Sequence, residues 1–289
     1  MRVGRQDVGV DELGWGEVRA GLGRLGLGDG SAVIVHSSLR SFGRVEGGAE
    51  AVCRALVEVC GTVLVPAGTW DLTGISPPPG LVRPLNAFEP CESWDEFDEQ
   101  VSRAQGFADD LPIDRWLGTI PETLRQKYPH HRSTHPLFSY VAVGAEAERL
   151  IGAQQLGWPL GPIDELAELD GTVLLVGVDH TSNTAIHLAE QRLGRSRFHR
   201  YAAAGGGAWM ELPNIPGESH RFEDLEPVLR PHTRETLIGA SRVRAIGVRK
   251  VLEATQDLIQ ANPRALLCDD DPTCRCAAAY EQRLRAVTA

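Results

Sequence analysis

A histidine and a glutamate three residues apart follow the clearest strand pattern of the chain, the apolar run 172–178. The polar segment 179–184 connects this run to a helical pattern that contains His187 and Glu190. Residues three apart share a helix face, so the carboxylate can orient the imidazole and raise its basicity. The pattern indicates a general base. The alternative is a structural histidine, buried in the core with its ring nitrogens hydrogen-bonded. This segment alone does not exclude it.

A second polar group lies at the end of another apolar run, residues 32–36, and consists of His36, Ser37 and Ser38. Ligands of open α/β sheets bind at the carboxyl ends of strands, and small hydroxyls with exposed backbone amides there can receive phosphate or carbonyl oxygens. A Gly-Gly pair at 47–48 precedes a helical pattern whose N-terminus favours anions. Paired glycines are weak evidence by themselves, so the loop predicts a ligand site without identifying the ligand.

A third candidate is Glu122, within the segment 117–125. Its carboxylate can pair with a histidine or with a cationic substrate. The alternative is a glutamate placed in the first turn of a helix, where the helix dipole stabilises negative charge. His135 in the following segment, 132–136, stands before a proline and can be a turn residue.

A cysteine cluster near the C-terminus consists of Cys268, Cys274 and Cys276. These thiols can supply two or three thiolates to a structural zinc ion, with further ligands from His199 or His220. The Cys-X-Cys spacing is tighter than the usual Cys-X-X-Cys. The alternative is a set of reduced surface thiols. Without a secretory signal, a disulfide framework is not expected.

Length and charge exclude several classes of function. The chain has 289 residues and a net charge of −10. Negative charge argues against nucleic acid as the main ligand and suits a cationic one, although acidity also serves solubility. No apolar run reaches the roughly 20 residues of a membrane span, and the N-terminus has no signal-peptide pattern, so we expect a cytoplasmic protein without membrane contact.

The elements that must position these residues indicate an α/β fold. A strand pattern at 32–36, a helical pattern at 49–60 and a second strand pattern at 62–66 predict a βαβ unit. Further strands are expected at 139–143 and 172–178. Glycines 205–207 suggest a hairpin between 201 and 212. We predict a mixed, largely parallel central sheet flanked by helices.

An acidic segment interrupts this pattern around residues 86–114, where aromatic residues are spaced through many carboxylates. An amphipathic helix laid over the surface is expected here, as an insertion that lines a cleft. Residues 69–84 are rich in Gly and Pro and predict a loop. Without a repeat or a clean linker, residues 1–289 are expected to form a single domain, with two intimate lobes as the alternative.

Taken together, the segments resemble the aminoglycoside 3-N-acetyltransferases. Their order and spacing cover residues 33–192, and four pieces in sequence order are more specific than any one of them. The matching pieces are Val35-His36-Ser37-Ser38-Leu39 with Gly43-X-Val45-Glu46-Gly47-Gly48, Leu117-Gly118 with Glu122 and Arg125, Arg132-Ser133-X-His135-Pro136, and Asn183-Thr184-X-X-His187-Leu188-Ala189-Glu190.

The resemblance implies an α/β fold distinct from that of the GNAT acetyltransferases. It implies acetyl-CoA as donor and the 3-amino group of a 2-deoxystreptamine aminoglycoside as acceptor, hence antibiotic resistance. His187 is then the base. Coenzyme A is expected to contact the loop after the first strand and the start of a later helix, at His36, Ser37, Ser38, Leu39, Arg40 and Thr119.

The residue types fit that chemistry. An aminoglycoside amine is largely protonated at neutral pH and must lose a proton before it attacks a thioester, and imidazole can accept this proton. Glu190 or Glu122 can hold the other ring nitrogen, and Thr184 or a backbone amide can stabilise the oxyanion. No cysteine lies within the matched pieces, so direct transfer in a ternary complex is expected rather than an acyl-enzyme.

Three other interpretations remain open. The same chemistry can act on a different amine, because the acidic segment, where substrate-contacting loops usually lie, departs from the family pattern. A zinc hydrolase would use His36, His180 and His187, but the sequence has no His-Glu-X-X-His motif. A non-catalytic binding protein is the third. A homodimer is compatible with these features, but the sequence does not determine the oligomeric state.

Overall fold

The computed structural model describes residues 12–81 and 90–268, together with residues 274, 277, 280 and 281. Its helices are α1 (Trp15–Arg24), α2 (Gly48–Val59), α3 (Trp70–Thr73), α4 (Trp94–Arg103), α5 (Thr119–Lys127), α6 (Ala147–Gly152), α7 (Gly161–Glu168), α8 (Thr184–Arg192), α9 (Glu226–Leu229) and α10 (Val248–Ala261). Its strands are β1 (Ala32–Ser37), β2 (Thr62–Pro66), β3 (Gly74–Ile75), β4 (His131–Arg132), β5 (Tyr140–Gly144), β6 (Thr172–Val176), β7 (Phe198–Gly205), β8 (Ala208–Ile215), β9 (Arg234–Ile238) and β10 (Ser241–Gly247).

A seven-stranded mixed sheet forms the centre of the fold, in the order β4-β5-β2-β1-β6-β10-β9. The predicted βαβ unit is confirmed, since β1 and β2 pair in parallel around α2. β1 also pairs in parallel with β6, whereas the pairings on both flanks are antiparallel. The mixed α/β sheet is therefore as predicted, but parallel pairing is confined to the three central strands. Short connections join β4 to β5 and β9 to β10, which favours antiparallel pairing of these two outer pairs.

Apolar clusters cover both faces of this sheet, as expected for central strands that read as continuous apolar runs. On one face, Val33 and Val35 of β1 pack against α1, α2 and α5. On the other, Ile34 packs with residues of α6, α7, α8 and α10. Helix α8 is thereby fixed on one side of the sheet. Among the described residues, no helix is long and apolar enough to cross a membrane.

A second sheet, β3-β7-β8, lies outside this layer and packs against the acidic segment. Helix α4 is amphipathic as predicted, with Phe97 and Val101 buried and Trp94 exposed. The predicted hairpin is confirmed as β7 and β8. The loop predicted at 69–84 is wrong in part, because α3 and β3 form within it and β3 pairs with β7. The extent of a single domain stays a prediction.

Candidate active site

A cavity of about 630 Å³ opens at the edge where the parallel strands end. Because β1, β2 and β6 point the same way, the loops that follow them meet at this edge. The cavity is lined by every residue expected to contact coenzyme A, and also by two expected catalytic residues: His36, Ser37, Ser38, Leu39, Arg40, Thr119, Thr184 and His187. The structure thus brings together segments that are up to about 150 residues apart in the sequence.

His187 lies on the first turn of α8, and the cap of that helix sets its position. The side chain of Asn183 accepts a hydrogen bond from the Ala185 amide at 3.2 Å, as an N-cap residue should. The imidazole packs edge-on against Phe222, with ring centroids 4.6 Å apart. These contacts hold the ring at the cavity wall while most of it is buried.

Glu190 is the carboxylate that pairs with His187. Its Oε2 lies 3.3 Å from His187 Nδ1, and its Oε1 accepts hydrogen bonds from Arg195 at 2.8 and 3.0 Å. Arg195 in turn donates to the carbonyls of Pro263 and Ala265. A chain of contacts therefore runs from the C-terminal segment through Arg195 and Glu190 to the imidazole.

The charge of Glu190 is stabilised although the group is buried. Burial raises the pKa of this carboxyl, but the hydrogen bond from His187 and the charge of Arg195 outweigh it and hold the pKa below its ordinary value. An ionised carboxylate only accepts hydrogen bonds, so Nδ1 of His187 carries the proton. The Nε2 lone pair then has no hydrogen-bond partner within the described part of the chain and is available at the cavity.

Glu122, the other expected partner of His187, lies elsewhere. Its carboxylate accepts hydrogen bonds from Arg125 at 2.7 Å and from the Ile113 amide at 3.0 Å. Burial raises the pKa of Glu122, but hydrogen bonds from Arg125, the Ile113 amide and Gln126 lower it further than burial raises it. Glu122 is not among the described residues that line the cavity. Its contacts tie the preceding loop to α5.

Two buried polar groups of the cavity wall bear on its chemistry, and the sequence pointed to only one of them. His36 is 7% exposed, and its Nε2 has no hydrogen-bond partner among the described residues. Burial and the charge of His187 lower the pKa of His36 to about 4, so the ring is neutral. Tyr140, at the start of β5, was missed because the sequence shows it only as part of a strand pattern.

The charged groups of the cavity wall are basic. Arg40 and Arg115 line it, and no aspartate or glutamate is among its described lining residues. The net negative charge of the chain suits a cationic ligand, but the described lining of this wall supplies no carboxylate to hold one. Gly48 begins α2, but it does not belong to the lining either, so an anion would meet arginines rather than that helix N-terminus.

The cysteine cluster forms at a different place, beside the loop that leads to His220. The ligand atoms of His220, Cys268 and Cys274 all lie within 4.8 Å of one another. His199 is not part of this group and lies on β7, with Nε2 3.9 Å from Glu211. Cys276 lies outside the described residues.

The three histidines of a zinc hydrolase are not assembled. Among the described residues, His220, Cys268 and Cys274 form the group that can hold a metal ion, and none of His36, His180 and His187 belongs to it. His180 is fully buried, with Nε2 3.1 Å from Glu226. That interpretation has no geometric support in the described part of the chain.

The chain is similar to known proteins of one family. The family model described as "Aminoglycoside 3-N-acetyltransferase" matches residues 34–260. The chain is 33% identical over 211 residues to the SPbeta prophage-derived aminoglycoside N(3')-acetyltransferase-like protein YokD of Bacillus subtilis (strain 168), covering 70% of this chain and 75% of that one. It is 31% identical over 239 residues to aminoglycoside N(3)-acetyltransferase VII of Streptomyces paromomycinus, covering 78% of each.

The fold is shared with solved structures. The aminoglycoside acetyltransferase AAC(3)-IVa apoenzyme superposes with a TM-score of 0.74 at 25% identity, over 94% of this chain and 98% of that one. The fold and the matches define an acyltransferase enzyme built on a mixed α/β sheet. Specifically, the chain belongs to the aminoglycoside 3-N-acetyltransferase family.

Proposed function

We propose that this enzyme transfers the acetyl group of acetyl-CoA to the 3-amino group of a 2-deoxystreptamine aminoglycoside, directly and in a ternary complex, and thereby confers resistance. One observation carries the proposal. His187 contacts the Glu190 carboxylate through Nδ1 and lines the cavity. Its Nε2 has no hydrogen-bond partner among the described residues. An imidazole oriented in this way can act as a general base for an amine.

The lining of the cavity fits acetyl-CoA as the donor substrate. Arg40 and Arg115 supply positive charge for its phosphates, and Ser37 and Ser38 supply hydroxyls. Ser37 Oγ and His36 Nε2 are buried polar atoms without partners among the described residues, which a bound substrate can satisfy. A basic wall suits a polyanion and is poorly suited to a polycation.

The proposed reaction follows from the positions of these groups. Nε2 of His187 removes a proton from the amine as its nitrogen attacks the thioester carbon, and Glu190 stabilises the imidazolium that forms. Thr184, the first residue of α8, lies in the same wall and can donate to the oxyanion. When the C–S bond breaks, the departing thiolate takes the proton back from Nε2, so the enzyme returns to its starting state.

The acceptor is assigned from family membership. The relative from Streptomyces paromomycinus is named an aminoglycoside N(3)-acetyltransferase. Carboxylates that hold a polycation would have to come from outside the described lining of the cavity, and α4 carries exposed acidic side chains. The cytoplasmic location and a homodimer stay predictions.

An assay of acetyl-CoA consumption against a panel of aminoglycosides tests the function. Release of the free thiol with at least one 2-deoxystreptamine compound, and a product acetylated at the 3-amino group, is expected. Tight coenzyme A binding without turnover of any aminoglycoside would instead favour another amine as acceptor. Absence of coenzyme A binding would contradict the proposal altogether.

We also infer a structural zinc ion at the cysteine cluster. Cys268 Sγ lies 3.5 Å from His220 Nδ1, and Cys274 completes three donors of the soft kind that zinc prefers. Cys276 is the fourth candidate by sequence. Since Ser219 lines the cavity and precedes His220, the ion would fasten the C-terminal segment to a loop of the cavity wall.

Metal analysis of protein purified without added zinc tests this inference. About one zinc ion per chain is expected, and Cys268→Ser should lose most of it, whereas Cys91→Ala, away from the cluster, should retain it. Absence of metal together with one reactive thiol per cysteine under denaturing conditions would rule out the site.

A further inference from the structure

Tyr140 reaches the cavity because of the direction of its strand. β5 is antiparallel to β2, so its first residue pairs with Pro66 at the edge where the parallel strands end. Tyr140 belongs to the apolar cluster on the side of the sheet that α8 covers, and it lines the same cavity as His187. The fold thus brings a phenol to the site from a strand that has no recognisable motif.

The hydroxyl of Tyr140 is buried and has no hydrogen-bond partner within the described ranges. The residue is only 1% exposed. Most buried polar atoms in proteins are hydrogen-bonded, so an orphaned hydroxyl at a cavity wall indicates a partner that arrives with a ligand. Burial also raises the pKa of Tyr140, so the phenol keeps its proton at neutral pH and can donate a hydrogen bond.

His36 strengthens this interpretation because it stands on the same side of the sheet. Ile34 of β1 pairs with Leu64, so His36, two residues on, faces Pro66, the partner of Tyr140. The two side chains are separated by one strand, and both Tyr140 Oη and His36 Nε2 are orphaned among the described residues. The wall therefore presents two neutral polar groups on the same face of the sheet, with β2 between them.

The polar atom that fits this wall is a carbonyl oxygen. The phosphates of coenzyme A can pair with Arg40 and Arg115, whose side chains are exposed. An ammonium group would need a carboxylate, and the described lining has none. A thioester carbonyl is neutral when it enters and gains negative charge during the reaction, so an O–H donor in a dry site stabilises it most when the charge is largest.

We propose that Tyr140 is a catalytic residue whose hydroxyl donates a hydrogen bond to the thioester carbonyl oxygen as it becomes the oxyanion. As the C–N bond forms, the π electron pair moves onto this oxygen. The pair returns when the C–S bond breaks and the thiolate takes the proton from His187. Tyr140 keeps its own proton throughout. The inference rests on the acetyl transfer proposed above.

Tyr140→Phe tests the inference, since it removes one oxygen and keeps the ring. We expect kcat to fall about 100-fold, as for loss of one oxyanion donor, with KM for both substrates within about threefold. The midpoint of thermal unfolding should stay the same or rise, because an orphaned buried hydroxyl is lost. Tyr128→Phe is the matched control, because Tyr128 packs against the other face of the sheet. This control should retain full kcat.

The outcomes separate the possible failures. An unchanged kcat in Tyr140→Phe, or a raised KM for the aminoglycoside at constant kcat, would overturn the proposal, the second by assigning the hydroxyl to acceptor binding. Loss of an alkaline limb from the pH–rate profile would also overturn it, because the phenol would then be transferring a proton. A wild-type enzyme that acetylates no aminoglycoside would refute the proposed function instead.

Discussion

Two histidine–glutamate–arginine networks lie close together in this protein, and only one of them faces the cavity. In the first, Glu190 links His187 to Arg195. In the second, Glu226 links His180 to Arg244, with Glu226 Oε2 3.1 Å from the imidazole and 2.6 Å from the guanidinium. The residue types are the same, so composition alone does not separate a catalytic site from a structural one.

The difference lies in the second ring nitrogen. His180 has Nε2 on Glu226 and Nδ1 3.2 Å from the side-chain amide of Asn183, so both nitrogens are engaged. Burial, and then the charge of Arg244, lowers the pKa of His180. His187 has its carboxylate on one nitrogen and leaves the other available at the cavity. A base needs that second nitrogen, which is why we assign catalysis to His187.

The largest expected effect separates the two imidazoles. His187→Ala should lower kcat/KM by about 10³-fold, because the base is lost, while the protein folds normally. His180→Gln should keep kcat/KM within about threefold and unfold at a lower temperature, since a buried network is broken. Steady-state kinetics and thermal unfolding of both variants measure this. Near-wild-type activity in His187→Ala would end the assignment.

The next largest effect is expected from replacing the glutamates of the two networks, Glu190 and Glu226. Glu190→Gln should lower kcat by about 100-fold, because the carboxylate no longer stabilises the imidazolium. It should also destabilise the fold by about 3 kcal/mol, since Arg195 is left buried without its counter-charge.

Glu226→Gln is the matched control for that variant. It should also lower stability, but by less, because the buried Arg244 keeps a second carboxylate, Glu223, at 3.5 Å; kcat should stay close to wild type. Urea unfolding and kinetics distinguish the two variants. Equal kcat losses in both would mean that the two networks act on the reaction together, contrary to the distinction drawn above.

A further prediction concerns the dependence of stability on pH. The pKa values of His36 and His135 are lowered to about 4, mainly by burial, and that of His180 is lowered as well. Below pH 6.5 the unfolded chain binds protons that the folded chain does not. The free energy of unfolding therefore decreases as the pH is lowered. The slope is about 1.4 kcal/mol per pH unit for each histidine that is charged only when unfolded.

Urea unfolding between pH 7 and pH 5 measures that slope, and His180→Gln sharpens the comparison. The variant should show a shallower decline than the wild type, by up to about 1.4 kcal/mol per pH unit, because one such histidine is gone. A wild-type stability that stays constant over this range would show that the three rings can be protonated without loss of the fold.

Local pattern was sufficient for much of the fold. The apolar runs at 32–36, 62–66 and 172–178 became three neighbouring central strands, because only a strand buried on both faces reads as a continuous apolar run. The His187–Glu190 pairing was also predictable from the sequence, since a shared helix face depends only on residues three or four apart.

Contacts between residues far apart in the sequence could not be predicted from it. From the sequence, Glu122 and Glu190 were equal candidates to hold His187. In the structure, Glu122 pairs with Arg125 instead. Nor did the sequence indicate Tyr140, because the direction of β5 relative to β2 decides which end of that strand meets the cavity. Helix periodicity and turn chemistry are local properties of the chain. Strand direction, burial and the free nitrogen of an imidazole are set only when distant segments pack, and these determine which of several similar residues does the chemistry.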